Sequence, residues 1–266
     1  MSITGMTKHI KNNIIFYKWN VFAPWESRIN AVITTRIGGS SPPPFSSLNL
    51  GHLVGDNPTA LAANREAVSQ ALGLSGVTWA VANQVHGTRI NKVENPNDSP
   101  YESCDSLSIS RRMVITAIVL ADCLPIVIYD PEHHTGVISH AGWKGTNAGI
   151  AEKSVQHLLD TGSRIQNLVA AVGPGIGPCC YPVDDDTAGQ FSENYKYPED
   201  VILRNKNGKF QLDLEKANLA RLRDRGMKED HIGNAGFCTA CRKEEFFSYR
   251  KEGGLTGRHA ALMVLL

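Results

Sequence analysis

The sequence has no long hydrophobic run: its longest largely apolar stretch, Met113 to Ala121, is cut off by Asp122, far short of the roughly 18 to 20 residues that span a bilayer. A transmembrane helix is thereby excluded. The N-terminal stretch offers only Ile14, Ile15 and Phe16 as an apolar patch, where a secretory leader needs about 7 to 15 apolar residues and a small-residue cleavage site. A cytoplasmic protein is expected. Excess charge of one sign is missing too: 27 Lys and Arg against 26 Asp and Glu leave a formal +1, so no global field draws the chain toward nucleic acid or anionic lipid. Neither a nucleic-acid partner nor a membrane is expected. Internal repeats, low-complexity tracts and long charged blocks are absent, which excludes solenoids and disordered tails. Six cysteines in 266 residues are too few for a disulfide scaffold, and in a reducing compartment they are expected to be thiols or metal ligands.

What is there is an ordinary globular composition, 42% apolar and 20% charged with 24 Gly and 13 Pro, and the Pro/Gly clusters are short enough to be turns rather than linkers. One compact domain over residues 1–266 is expected. β-Branched runs bounded by turn residues predict strands at Ala31–Arg36, Val77–Ala82, Arg89–Val93, Met113–Leu120, Pro125–Tyr129, Gly136–His140, Asn167–Val172 and Ala260–Leu266. A helix is predicted from the Asn57 cap and Pro58 to Gly73, with Leu61, Val68 and Leu72 near helical spacing. A second runs from near Thr146 to Gly162 and a third from an Asp213 cap to Gly226. Strands and helices interleave without a strict βαβ rhythm, so the expected class is α/β in the α+β sense, a mixed β-sheet core covered by helices.

The residues richest in chemistry are scattered. His86 lies in Asn83-Gln84-Val85-His86-Gly87, Cys123 in Ala121-Asp122-Cys123-Leu124-Pro125, and His140 in His140-Ala141-Gly142-Trp143, each at the end of a predicted strand. One Cys and two His satisfy the ligand count of a catalytic zinc, which keeps three protein ligands and an open fourth position. Their spacing matches no zinc finger, and from spacing alone a buried thiol with two ordinary histidines is the favoured reading. Each is followed within two residues by Gly or Pro, the loop texture in which sites sit on rigid scaffolds.

Thr35-Arg36-Ile37-Gly38-Gly39, Ser47-Leu48-Asn49-Leu50-Gly51, Gln84-Val85-His86-Gly87, Ala121-Asp122-Cys123, His140-Ala141-Gly142-Trp143-Lys144-Gly145, Gly173-Pro174 and Thr256-Gly257-Arg258 occur in one order. Together they resemble the YfiH-type family, whose members go by polyphenol oxidoreductase (laccase), purine nucleoside phosphorylase and peptidoglycan editing factor. The match runs from about residue 30 to 266. The resemblance implies a fold likened to cysteine hydrolases, a zinc held by His86, Cys123 and His140, phosphorolysis of adenosine, inosine and methylthioadenosine, and deamination of adenosine. A purine nucleoside and phosphate would be the partners, and the chain a monomer or small homo-oligomer.

These implications are chemically consistent with the residues. A zinc-activated water suits attack on C6 of adenine, with Asp122 as proton carrier. Phosphorolysis needs cationic and backbone N–H donors, for which Arg36, Gly38, Gly39 and Arg258 are candidates and Asn49 a hydrogen-bonding one. A plain Gly-rich turn is the competing reading of Gly38 and Gly39, and a surface salt bridge that of Arg258. Lys144 stands where relatives often have arginine, so a bidentate contact there becomes a point charge. His52 falls one residue before the usual histidine position and is assigned no ligand role. The alternatives are a cysteine-type amide hydrolase acting on peptidoglycan precursors, with Cys123 as nucleophile and His140 or His86 as base, a metal-stabilised binding module, and a copper polyphenol oxidase. The last is disfavoured by nine histidines with no His-x-His pair.

Two patterns are read as structural. Gly173-Pro174-Gly175-Ile176-Gly177-Pro178 has prolines where a nucleotide loop would open into a helix, so it is expected to be a rigid turn. Cys238-Thr239-Ala240-Cys241 has half-site spacing but no second Cys-x-x-Cys, and is expected to be two reduced thiols. Adjacent Cys179 and Cys180 are not expected to bridge.

Overall fold

In the computed structural model, which describes residues 3–205 and 207–266, the strand Leu124–Asp130 is buried along its whole length. Val127 and Tyr129 face one core while Leu124, Ile126 and Ile128 face another, as the period-two alternation of a strand requires. The strand His259–Leu265 divides in the same way, with Ala261, Met263 and Leu265 on one side and Ala260, Leu262 and Val264 on the other. Strands covered on both faces read as continuous hydrophobic runs, so their sequence does not reveal what covers each side.

What covers them is a second sheet. Among the described residues, one sheet of seven strands runs Ile3–Thr4, Ile232–Asn234, Val169–Val172, Leu124–Asp130, Thr135–Ala141, Ser106–Ile109 and Ile90–Lys92. Another, of six, runs Met6–Lys11, Ile14–Trp19, Ile29–Thr34, His259–Leu265, Ile115–Leu120 and Trp79–Val81, and a small two-stranded sheet pairs Ile202–Arg204 with Phe210–Leu212. The two larger sheets mix parallel and antiparallel pairs. They share a central core, and helix Pro58–Leu72 covers the outer face of the six-stranded sheet while Ile150–Asp160 and Leu214–Asp224 cover that of the seven-stranded one. The mixed α+β expectation holds, but with two stacked sheets where one was expected. No helix among the described residues is long and apolar enough to cross a membrane.

Local chemistry explains the helix ends. The Asn57 side chain accepts from Thr59 N at 2.8 Å, Pro58 occupies the first turn and Gly73 closes the helix at φ 74°. Asp213 caps the third predicted helix through Lys216 N at 2.9 Å. The second is split into Trp143–Asn147 and Ile150–Asp160, because Gly149 at φ 79° leaves the helical region. The N-terminal hairpin Met6–Lys11 and Ile14–Trp19 was not anticipated, although Asn12 and Asn13, at φ 50° and 65°, are residues suited to a two-residue hairpin turn.

His259, at the start of its strand, is wholly buried and neither ring nitrogen has a partner among the described residues. It packs between Phe246 and Phe247. Burial, with the charges of Arg258 and Arg36, pushes its pKa down to about 3. A base depressed in the folded state stabilises above its unfolded pKa and loses that stability as pH falls. His259→Phe is therefore expected to flatten acid destabilisation, with wild type losing about 2 kcal/mol more than the variant between pH 7 and about pH 5 in urea unfolding. Equal pH slopes in the two proteins would refute this.

Candidate active site

The chain passes from the six-stranded to the seven-stranded sheet between Leu120 and Leu124, and this crossover carries Asp122, at φ 87°, and Cys123. His140 sits near the end of the neighbouring strand Thr135–Ala141, paired with Pro125, and His86, at φ 60°, in the loop after Trp79–Val81. The three thus converge beside this crossover, their ligand atoms within 4.8 Å of one another.

Asp105, which the sequence did not single out, organises the group. Its Oδ1 accepts from His86 N at 2.9 Å and pairs with His140 Nδ1 at 2.8 Å, while Oδ2 accepts from Gly87 N at 2.6 Å and Val85 N at 3.3 Å. The carboxylate therefore assigns the proton to His140 Nδ1 and leaves Nε2 free as a ligand. Burial would raise Asp105, but the hydrogen bonds from His140 and Gly87 hold it below the ordinary carboxylate range. Burial would likewise raise the Cys123 thiol, yet the charges of His140 and His86 bring it down to about 6. His140 is lifted to about 9 against its burial by Cys123 and Asp105. Gly142 leaves the space these donors need: a Cβ there would stand 2.9 Å from His86 Nδ1 and 3.1 Å from Cys123 Sγ.

The cluster forms one wall of a cavity of about 480 Å³, a size that admits a small organic ligand. Tyr181, Tyr249, Arg250 and Arg258 line it as well. Arg258 Nη1 donates to the carbonyls of Thr256 and Gly257, and the guanidinium lies 5.7 Å from the Tyr249 ring. Gly51 makes room for it, since a Cβ there would meet Arg258 Cγ at 2.7 Å.

The other predicted residues do not converge on the cavity in this way. Arg36 donates to the Ser46 and Lys243 carbonyls, pairs with Glu252 at 2.8 Å and stacks on Phe247, away from the cavity lining. Gly38 and Gly39 donate their N–H groups to Ser47 Oγ at 3.2 Å each, which is the turn reading rather than an anion nest. Asn49 is buried, accepts from Gly51 N and Arg258 N and donates to Asp56, so it positions Arg258 instead of facing a ligand. Asp122 lines the cavity, but its oxygens take Thr239 Oγ1, Ser248 Oγ and Arg250 N. Lys144 is exposed beside Trp143 and does not line the cavity. His52 does line it, with Nε2 paired to Asn83. Tyr181, Tyr249 and Arg250 were missed because nothing in their local sequence separates them from surface aromatics and cations.

Cys238 and Cys241 are free thiols, as expected of the Cys-x-x-Cys pattern. Cys238 and Cys241 are not an isolated pair: Cys179 and Cys180 stand against them, and all four sulfurs lie within 4.8 Å of one another. The turn that carries Gly173–Pro178 brings them there, through Gly175 paired to Cys238.

The two-sheet α+β scaffold thus brings together one Cys and two His that could hold a metal ion, on a cavity that Arg250 and Arg258 also line. The chain belongs to the family described as multi-copper polyphenol oxidoreductase laccase, whose sequence model matches residues 30–266. A Geobacillus stearothermophilus protein named purine nucleoside phosphorylase YlmD is 35% identical over 244 residues, covering 88% of this chain and 89% of its own. A Deinococcus radiodurans protein named purine nucleoside phosphorylase is 38% identical over 235 residues, 87% of each chain. The crystal structure of YlmD from Geobacillus stearothermophilus superimposes with a TM-score of 0.89 at 31% identity, covering 100% of this chain and 99% of that one. That of a Bacillus licheniformis hypothetical protein, YfiH, gives 0.88 at 32% identity over 96% and 97%.

Proposed function

We propose that this chain is a metal-dependent purine nucleoside phosphorylase, with His86, Cys123 and His140 as the ligands of a zinc ion. The observation that carries the reading is the convergence of these three donors on a cavity walled by Arg250 and Arg258, joined to relatives bearing that activity in their names. The donor set fits zinc: a thiolate and two imidazoles, one of them oriented by a buried carboxylate. When bound, the ion would supply Lewis acidity beside the substrate.

The chain's own residues supply the rest. Tyr181 and Tyr249 offer flat aromatic surface for a purine. Arg258, braced by Asn49 and by the Thr256 and Gly257 carbonyls, offers cationic N–H donors to phosphate, with Arg250 beside it. Asp122 acts as a positioning residue, because its bond to Arg250 N fixes the cavity wall. Adenosine deamination in the same cavity is the second activity we assign.

Cys123, His140 and Asp105 also form a thiolate–imidazole–carboxylate series, the arrangement of a cysteine hydrolase, so metal dependence decides between the readings. Inosine is expected to release hypoxanthine only with phosphate present, to stop doing so after chelation and to resume on adding zinc. Activity that survives chelation and is abolished by alkylating the metal-free protein would favour the hydrolase. Restoration by copper alone, with phenol oxidation, would favour the oxidase.

A further inference from the structure

We propose that Cys179, Cys180, Cys238 and Cys241 form a second metal site, a structural zinc tetrathiolate separate from the His86, Cys123 and His140 cluster. Cys179 and Cys180 come from the 3-10 turn Pro178–Cys180, while Cys238 and Cys241 flank the turn at Thr239 and Ala240. Cys241 Sγ lies 3.5 Å from both Cys179 Sγ and Cys180 Sγ. That is well beyond the roughly 2.05 Å of a disulfide. It is near the edge of about 3.8 Å for a tetrahedron of sulfurs each about 2.3 Å from one zinc. Four sulfurs this close leave room for one ion and none for an iron–sulfur cluster, and closed tetrahedral sulfur sites select zinc. Gly177 N donates to Cys238 Sγ at 3.1 Å, the backbone support that an outer shell gives a thiolate ligand. A side chain at Gly177 would crowd the cluster, since its Cβ would stand 3.1 Å from Cys238 Cβ.

The position of the cluster gives it a task. One pair of cysteines lies between Ile176 and Tyr181, and the other precedes Tyr249 and Arg250, all four being cavity residues. Thr239, inside the Cys-x-x-Cys turn, donates to Gly175 O through its amide and to Asp122 through Oγ1 at 2.9 Å. An ion here ties together two loops about sixty residues apart in sequence, both of which shape the cavity. It takes no part in the reaction, so its loss is expected in KM and in thermal stability more than in kcat.

The test uses the full chain, expressed with zinc and kept reduced. Wild type is expected to carry two zinc ions, Cys123→Ala one, and the double variant Cys238→Ser/Cys241→Ser one. The cobalt-substituted Cys123→Ala protein should show the intense d–d bands of a tetrathiolate, absent from the double variant. Cys179→Ser/Cys180→Ser serves as an independent pair should the first fail to fold. A variant-free measurement accompanies these: in wild type the four thiols should resist alkylation until the metal is stripped, as read by peptide mass. Metal content unchanged in a folded double variant, ready alkylation of all four thiols in the metal-loaded protein, or the mass deficit of disulfides in the isolated reduced-lysate protein would each overturn the proposal.

Discussion

Replacing Cys123 by alanine is expected to abolish phosphorolysis and to strip the metal from the His86 and His140 pair in the same protein. Cys123 contributes the only sulfur among the three donors, and its thiol, drawn down to about 6 by the neighbouring histidines, is already poised as a thiolate. Removing a direct ligand exceeds the loss of an outer-shell partner, which alone costs about 10- to 100-fold in metal affinity or activity. The fall in kcat/KM for inosine should therefore pass 100-fold, with the fold intact because the thiol sits at a crossover and not within a sheet. Metal analysis beside the assay separates the causes. Activity lost with metal retained would point to the thiolate as nucleophile and away from its role as ligand.

Asp105→Asn is expected to weaken metal binding by about 10- to 100-fold and to destabilise the fold by about 1–3 kcal/mol. All four groups around this carboxylate are donors: the amides of Val85, His86 and Gly87, and the Nδ1–H of His140. An asparagine amide must turn its NH2 toward one set of them, leaving buried donors face to face. Because one side chain fixes both the His86 loop and the His140 tautomer, the two ligands should loosen together. Isothermal titration of zinc into the chelated protein, with urea unfolding alongside, reads both effects. A variant that binds zinc as wild type does would remove Asp105 from the site's organisation.

The two substitutions also separate ligand from support. Cys123→Ala should leave unfolding of the metal-free protein nearly unchanged, whereas Asp105→Asn should lower it even without metal. The difference follows from where the hydrogen bonds are: Asp105 holds four protein donors in the absence of any ion.

Local chemistry made several elements legible from the sequence. Asn57 with Pro58 and Gly73, and Asp213 with Gly226, are cap signals whose hydrogen bonds span four residues or fewer, so no distant contact is needed to read them. Asn12 and Asn13 carried a local turn signal as well, although the hairpin they close was not among the expected elements. Gly149 did not, because a glycine within a helical pattern is tolerated or terminating according to what packs around it. The sheet count was illegible for a related reason: strands such as Leu124–Asp130 are apolar on both faces whether a helix or another sheet covers them.

For the site, the sequence by itself offered His86, Cys123 and His140 as candidate metal-binding residues, together with the motif order on which the family resemblance rests. Tertiary structure alone decided what those residues meet. Asp105 became their anchor because an antiparallel register sets Ser106 against Ser139. Arg36 and Asn49 were drawn into bracing Glu252 and Arg258 rather than facing the cavity. Cys179 and Cys180 met Cys238 and Cys241 across about sixty residues of chain. Hydrogen-bond partners and ligand sets are closed by atoms a few ångströms apart in space, and sheet pairing brings together residues whose separation along the chain carries no record of that proximity.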